Sequence, residues 1–140
     1  MTIEPGMVIW LHFPYLRPQA KYKFAVLGSI EPKLQFVFIN SVVNPFMNIE
    51  AARKAHHLPV SHLDHTFLTR DSWMDCSYPV GYDLDSLCQQ LKNNVARIVG
   101  AISDDLRSTA IECIDSSVLW PRAKSQPFVD GLTWGQPFEF

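Results

Sequence analysis

The fold is decided near the start of the chain, by Gly6-Met7-Val8-Ile9-Trp10-Leu11-His12-Phe13-Pro14. The residues between Gly6 and Pro14 are rich in β-branched and aromatic side chains, which favour a strand. Pro14 ends this run because it fixes its own φ and has no N–H to donate to a neighbouring strand. A loop then leads to a second apolar run, Lys23-Phe24-Ala25-Val26-Leu27-Gly28. The chain therefore opens with two predicted strands.

Apolar periodicity and turn residues predict the elements that follow. Asp83 and Ser103 are N-cap residues, each placed directly before a helical apolar pattern. The predicted elements are strands over residues 34–43, 67–79 and 95–102, a short helical turn over 48–55 capped by Asn48, a helix over 83–92 and a helix that begins at Ser103.

Composition indicates one globular domain inside the cell. The chain has 140 residues, of which 47% are hydrophobic and 19% are charged, so a core can form and disorder is not expected. Residues 1–70 carry seven Lys or Arg against four Asp or Glu, while residues 71–140 carry five against ten. No targeting segment and no run of about 20 apolar residues is present, which predicts a soluble, cytoplasmic protein with no membrane contact.

Cysteines and histidines give no sign of a metal or cofactor. Three widely spaced cysteines without a Cys-x-x-Cys pair indicate neither a disulfide framework nor a zinc ribbon. Four of the five histidines lie within residues 56–65, but Pro59 and the strand character of this segment would scatter them over both faces. We therefore expect no metal site and no cofactor.

The two opening strands resemble those of the PemK/MazF toxin family. That family opens roughly with Gly-Asp-Ile-Val-Trp-Val-Asp-Phe-Pro, a loop, and then Arg-Pro-Ala-Leu-Val-Leu. Residues 99–103, Val-Gly-Ala-Ile-Ser, are similar to the family's closing Ile-Gly-x-Leu-Ser before its last helix. The resemblance spans residues 5–119 and implies a mainly β fold, a small antiparallel SH3-like barrel with a C-terminal helix, over residues 1–119.

The resemblance also implies an activity. Members of the family are toxins of toxin-antitoxin systems that cleave single-stranded RNA without a metal, by attack of the 2′-OH on its own phosphate. Such a reaction needs a proton acceptor, a proton donor and a cation. The resemblance implies a homodimer, a small antitoxin protein as partner, and a loop carrying Arg17 and Lys21 that flanks the RNA. A plain solvated hairpin loop is the alternative for residues 14–22.

The catalytic positions of the family fall on changed residues. The family's Arg at the start of the second strand corresponds to Lys23, and its Thr near the end of the third corresponds to Asn40, with Ser41 beside it. Lysine cannot form the bidentate fork of arginine, and asparagine does not titrate. His12 is the residue in this part of the chain best suited to act as the base, since an unperturbed imidazole has a pKa of about 6.5. The alternatives are a module that binds RNA or protein without cleaving, or a likeness of fold alone.

Residues 120–140 match no part of the family and form a predicted aromatic and proline-rich tail without a regular period. The tail carries two Trp and three Phe, too much apolar surface to leave in water. One hypothesis is that it lies over the basic groove, on its own domain or across the dimer, with Trp134 as its anchor and Asp130 near Arg17, Lys21 or Lys23. The other is that it only covers an edge of the barrel.

Overall fold

A computed structural model describes residues 1–41 and 51–140. The strands are β1 (Thr2–Ile3), β2 (Met7–Phe13), β3 (Lys21–Ser29), β4 (Gln35–Asn40), β5 (His57–Val60), β6 (Ser72–Gly81), β7 (Ile98–Ala101) and β8 (Phe138–Glu139). The helices are α1 (Ala51–Ala55), α2 (Leu84–Asn93), α3 (Asp104–Asp115) and α4 (Arg122–Trp134), with a 3₁₀ turn at Val95–Arg97 before β7.

Six strands form one antiparallel sheet in the order β5-β6-β4-β3-β2-β7, and β1 pairs with β8 in a separate two-stranded sheet. The hairpin of β2 and β3 that the sequence predicts is confirmed, with Val8 opposite Val26 and His12 opposite Tyr22. Because β3 and β4 are central, most of their residues are buried on both faces.

The sheet is not closed into a barrel, since β5 and β7 end the described strand order instead of pairing with each other. Helices cover the sheet instead. Alternate strand residues such as Val26 and Ile39 pack in one core with Ile114 of α3 and Phe128 of α4. Strand residues on the opposite face of the sheet, such as Leu27, pack with Leu87 and Leu91 of α2 in a second core. The structure therefore mixes sheet and helix, and burial by helices replaces the closure that the sequence predicted.

Both predicted helix caps are confirmed. The side chain of Asp83 accepts a hydrogen bond from the N–H of Ser86, and the side chain of Ser103 accepts one from the N–H of Leu106. Each bond satisfies an N–H that lacks a partner within the helix. Other boundaries moved: the strand predicted over 67–79 begins at Ser72, and residues 95–97 form the 3₁₀ turn. The predictions for 42–43 and for the cap Asn48 lie outside the described residues.

The C-terminal segment, in which the sequence shows no regular period, contains a helix. Residues 122–134 form α4, and Phe128, Val129 and Leu132 are buried in the core that α3 shares. Trp134 is 82% exposed, so it anchors nothing within its own chain, and Asp130 accepts a hydrogen bond from Gln126 within α4. The segment covers a face of the sheet, because its apolar residues fall on one side of a helix.

Two glycines allow α4 to approach β3. A Cβ at Gly28 would lie 2.1 Å from the ring of Phe128, and a Cβ at Gly131 would lie 2.0 Å from the carbonyl oxygen of Gly28. Neither position can hold a larger residue without separating helix from strand. Arg107 of α3 fixes the far end of α4 by donating to the carbonyl of Leu132.

We predict that Gly28→Ala lowers the free energy of unfolding by about 1–3 kcal/mol, because the added methyl group overpacks the α4 contact. Gly81→Ala is the control, since Gly81 lies in the same sheet and a Cβ there would meet nothing within 4 Å. Urea denaturation of both variants measures the effect. Equal stability of the two variants would contradict the packing described here.

Candidate functional site

A pocket of about 320 Å³ lies where β3 begins and β4 ends. Lys23 and Tyr22 of β3, Asn40 and Ser41 at the end of β4, and Trp10 of β2 are among the residues that line it. Residues 67–70 and Ser72 close another side. Among the described residues, the lining includes the cations Lys23 and Arg70 and no Asp or Glu. The pocket therefore presents positive charge and hydrogen-bond donors between aromatic rings.

Lys23 and Asn40 are in direct contact, because the antiparallel register of β3 and β4 places them across from one another. The Nζ of Lys23 donates a hydrogen bond to the Oδ1 of Asn40. The same ammonium lies 5.3 Å from the centroid of the Phe38 ring. Two of the predicted site residues thus meet, and Ser41 lines the pocket beside them.

The protonation of Lys23 depends on its surroundings. Burial lowers the pKa of the Lys23 ammonium, the nearby charge of Lys21 lowers this pKa further, and Asp75 raises it in part. Burial acts this way because a charged amine loses hydration that a neutral amine needs less. Lys23 therefore loses its proton more readily than a lysine in water.

His12 does not join Lys23. It is opposite Tyr22 across the β2–β3 pair, whereas Lys23 is opposite Leu11, so strand alternation places the two side chains on opposite faces of the sheet. The His12 ring packs 5.0 Å from the Tyr22 ring, and His12 does not line the pocket. Of the predicted RNA-binding cations, Lys21 begins β3 and Arg17 lies exposed in the loop before it, and neither lines the pocket.

Sequence reasoning missed an aromatic stack beside the pocket. The rings of Trp10 and Tyr22 are stacked with centroids 5.6 Å apart, and these residues are 37% and 46% exposed. Arg97, from the 3₁₀ turn before β7, lies 5.6 Å from the Tyr22 ring centroid and donates a hydrogen bond to the carbonyl of Trp10. A predicted register for the β2–β3 hairpin could have brought Trp10 and Tyr22 together on one face. No signal in the sequence near Arg97 connects it to these two residues.

Two of the histidines within residues 56–65 link separate segments of the chain by hydrogen bonds. His56 contacts the carbonyl of Ala52 and the hydroxyl of Ser117, and His65 lies between the carbonyl of Ser61 and the N–H of Ser103. Within residues 1–41 and 51–140, no three or more His, Cys, Asp or Glu side chains are grouped so as to hold a metal ion. No described helix has the length and apolar character needed to cross a membrane.

Comparison with family models, with curated proteins and with solved structures gave no match to this chain. The interpretation of the site therefore depends on its own geometry and on the residue pattern of the opening strands.

Burial of Lys23 predicts a pH-dependent difference in stability between the protein and Lys23→Met. The pKa of Lys23 in the folded protein lies below its ordinary value of 10.5, so the unfolded chain binds more protons in the interval below 10.5. Stability of the unaltered protein consequently rises with pH through that interval, and Lys23→Met lacks this gain. Urea denaturation near neutral pH and at about pH 10 measures the difference. A difference that stays constant between the two pH values would refute the effect.

Proposed function

We propose that the protein binds single-stranded RNA in the pocket at the ends of β3 and β4, and cleaves it there without a metal ion. One observation carries this proposal: the two contacting residues Lys23 and Asn40 line the same pocket as Trp10 and Tyr22, whose rings are exposed and stacked. In the resemblance to the PemK/MazF toxins, Lys23 and Asn40 correspond to the family's Arg and Thr. A phosphate and an unpaired base can be bound side by side only where such groups converge.

The aromatic stack favours a single strand over a duplex. Unpaired bases can stack on exposed Trp and Tyr side chains, while the bases of a double helix are already stacked on each other. The edge of the stack is cationic, because Arg97 lies over the Tyr22 ring and Arg70 lines the pocket. The lining residues that the structure describes have no carboxylate to repel the phosphate backbone, and two of them are cations that attract it.

The residues of the pocket can supply the groups that the reaction needs. The 2′-oxygen forms a bond to phosphorus, the bond from phosphorus to the 5′-oxygen breaks, and the products are a 2′,3′-cyclic phosphate and a 5′-hydroxyl end. Lys23 accepts the 2′-hydroxyl proton as a neutral amine and returns a proton to the leaving oxygen as an ammonium. Because the Oδ1 of Asn40 accepts from Lys23, the Nδ2 group of Asn40 has two hydrogens to donate to a phosphoryl oxygen.

The proposal gives His12 no chemical step. Its side chain lies on the other face of the sheet from Lys23 and packs on Tyr22. His12 supports the position of the Tyr22 ring instead. A homodimer and a small acidic antitoxin are the partners that the toxin-like proposal includes, and cleavage without an antitoxin present would slow the growth of a cell that makes the protein.

Loss of the Lys23 amine tests the proposal. We predict that Lys23→Ala reduces cleavage of a single-stranded oligoribonucleotide by a factor of about 100 or more, the usual size of a general acid–base contribution. Lys33→Ala is the matched control because it removes the same charge from an exposed position. Lys33 lies at the opposite end of the β3–β4 hairpin from Lys23. Gel analysis of the labelled RNA, in the presence of EDTA, gives the rates.

Equal rates for Lys23→Ala and Lys33→Ala would contradict the catalytic role. RNA that is bound but left intact by the unaltered protein would instead support a binding module. One observation favours that second candidate: Lys23 and Asn40 stand where the family has Arg and Thr, so the site has neither the arginine fork nor a hydroxyl at these positions. Ser41 places a hydroxyl nearby.

Removal of one ring tests how RNA is bound. We predict that Tyr22→Ala weakens binding of an oligonucleotide with a 2′-O-methyl backbone, which cannot be cleaved, by about 1–3 kcal/mol. Tyr22→Phe should bind as the unaltered protein does, because the ring is kept. Trp134→Ala is the control for loss of an exposed ring, as Trp134 is 82% exposed on α4 and does not line the pocket. Fluorescence anisotropy measures all three, and unchanged binding by Tyr22→Ala would exclude stacking.

A further inference from the structure

A buried polar pair lies on the same face of the sheet as Lys23. His57 of β5 and Asp75 of β6 are directly opposite in the strand register, and they are only 7% and 5% exposed. The distance from the Nε2 of His57 to the Oδ1 of Asp75 is 3.7 Å. Burying a carboxylate is costly unless partners compensate for its lost hydration. The groups around Asp75 therefore determine whether its carboxylate can remain charged in the core.

Hydrogen bonds fix the orientation of both side chains. The Nδ1 of His57 lies 2.8 Å from the carbonyl oxygen of Arg53, so Nδ1 must donate and Nε2 is the nitrogen that faces Asp75. The N–H and the hydroxyl of Ser77 both donate to the same Oδ1 of Asp75.

The pair continues toward the pocket through β4. Asp75 is directly opposite Phe38, and the ammonium of Lys23 lies over the Phe38 ring and bonds to Asn40. Lys23, Phe38, Asp75 and His57 thus form a row across four neighbouring strands on one face of the sheet. Other titratable or charged groups near this row are Lys21 beside Lys23, and Tyr78, Cys76 and Arg53 near Asp75.

We propose that Asp75, oriented by His57 and Ser77, is a positioning residue that holds the Lys23 ammonium over Phe38 and against Asn40. Lys23 is a flexible side chain on a strand end, and rotamer freedom would otherwise carry its amine away from the pocket. A fixed negative charge on β6, the strand next to β4, limits that freedom without contacting RNA. The expected effect on RNA cleavage rests on the proposed function. The expected effect on the Lys23 side chain does not, because it is measured in the protein without RNA.

The titration of Lys23 in the free protein tests this assignment. In Asp75→Asn the amide oxygen can still accept from Ser77, but the charge that favours the ammonium is gone. We expect the midpoint of the Lys23 side-chain titration, followed by NMR of a ¹³C-lysine sample, to move to lower pH. Asp71→Asn is the control, since Asp71 is an exposed carboxylate that contacts His62. The midpoint of the Lys23 titration in Asp71→Asn should equal that in the unaltered protein. An unchanged or higher midpoint in Asp75→Asn would overturn the proposal.

A second variant keeps the test decisive if Asp75→Asn does not fold. Ser77→Ala keeps the charge of Asp75 and removes a hydroxyl that orients it, so the coupling to Lys23 should weaken and the Lys23 midpoint should move to lower pH. No movement would exclude the coupling. In the RNA assay, Asp75→Asn should shift the ascending limb of the pH–rate profile, where Lys23 becomes a neutral amine, to lower pH together with the Lys23 midpoint. A shifted Lys23 midpoint in a protein that cleaves no RNA would refute the proposed function and leave the positioning role of Asp75 standing.

Discussion

The contact between β3 and α4 is the constraint on which the rest of the structure depends. Helix and strand touch through Gly28 and Gly131, and the ring of Phe128 fills the space that a side chain at Gly28 would occupy. This close approach buries one face of the central strand, while α2 and its neighbours bury the other. An antiparallel sheet that is covered on both faces needs no closure to hide its apolar surface, which explains how an open sheet satisfies the apolar pattern of the strands.

The same contact decides where a site can form. Because α4 packs at the Gly28 end of β3, the other end of that strand, residues 21–23, remains open beside the end of β4. Alternation along β3 then sends Tyr22 and Lys23 to opposite faces of the sheet. The aromatic stack belongs to one face and the Lys23–Asp75 row belongs to the other, and the pocket joins them at the strand ends. A ligand with a flat apolar part and a charged part, such as a nucleotide, matches this division.

Local sequence signals predicted much of the fold. The β2–β3 hairpin and the caps Asp83 and Ser103 follow from residues close together in the chain. Helix α4 was missed because Pro127 lies inside it and Pro121, at its N-cap, makes no side-chain capping bond, so the usual start signal is absent. Lys23 and Asn40, which the family resemblance suggested as site residues, contact each other and line one pocket. Arg97 and the His57–Asp75 pair come from distant segments, and only strand order and register bring them to the site.

Ultraviolet cross-linking of a bound oligoribonucleotide, with the modified peptides identified by mass spectrometry, tests most directly the central claim that the pocket is an RNA site. The RNA should carry 4-thiouridine and a 2′-O-methyl backbone, so that it stays intact during irradiation. The account predicts adducts at Trp10 or Tyr22, whose rings are exposed beside Lys23, and their loss when excess unlabelled single-stranded RNA is added. Adducts confined to other exposed aromatic residues, such as Trp134 at the end of α4, would place RNA elsewhere and contradict the claim.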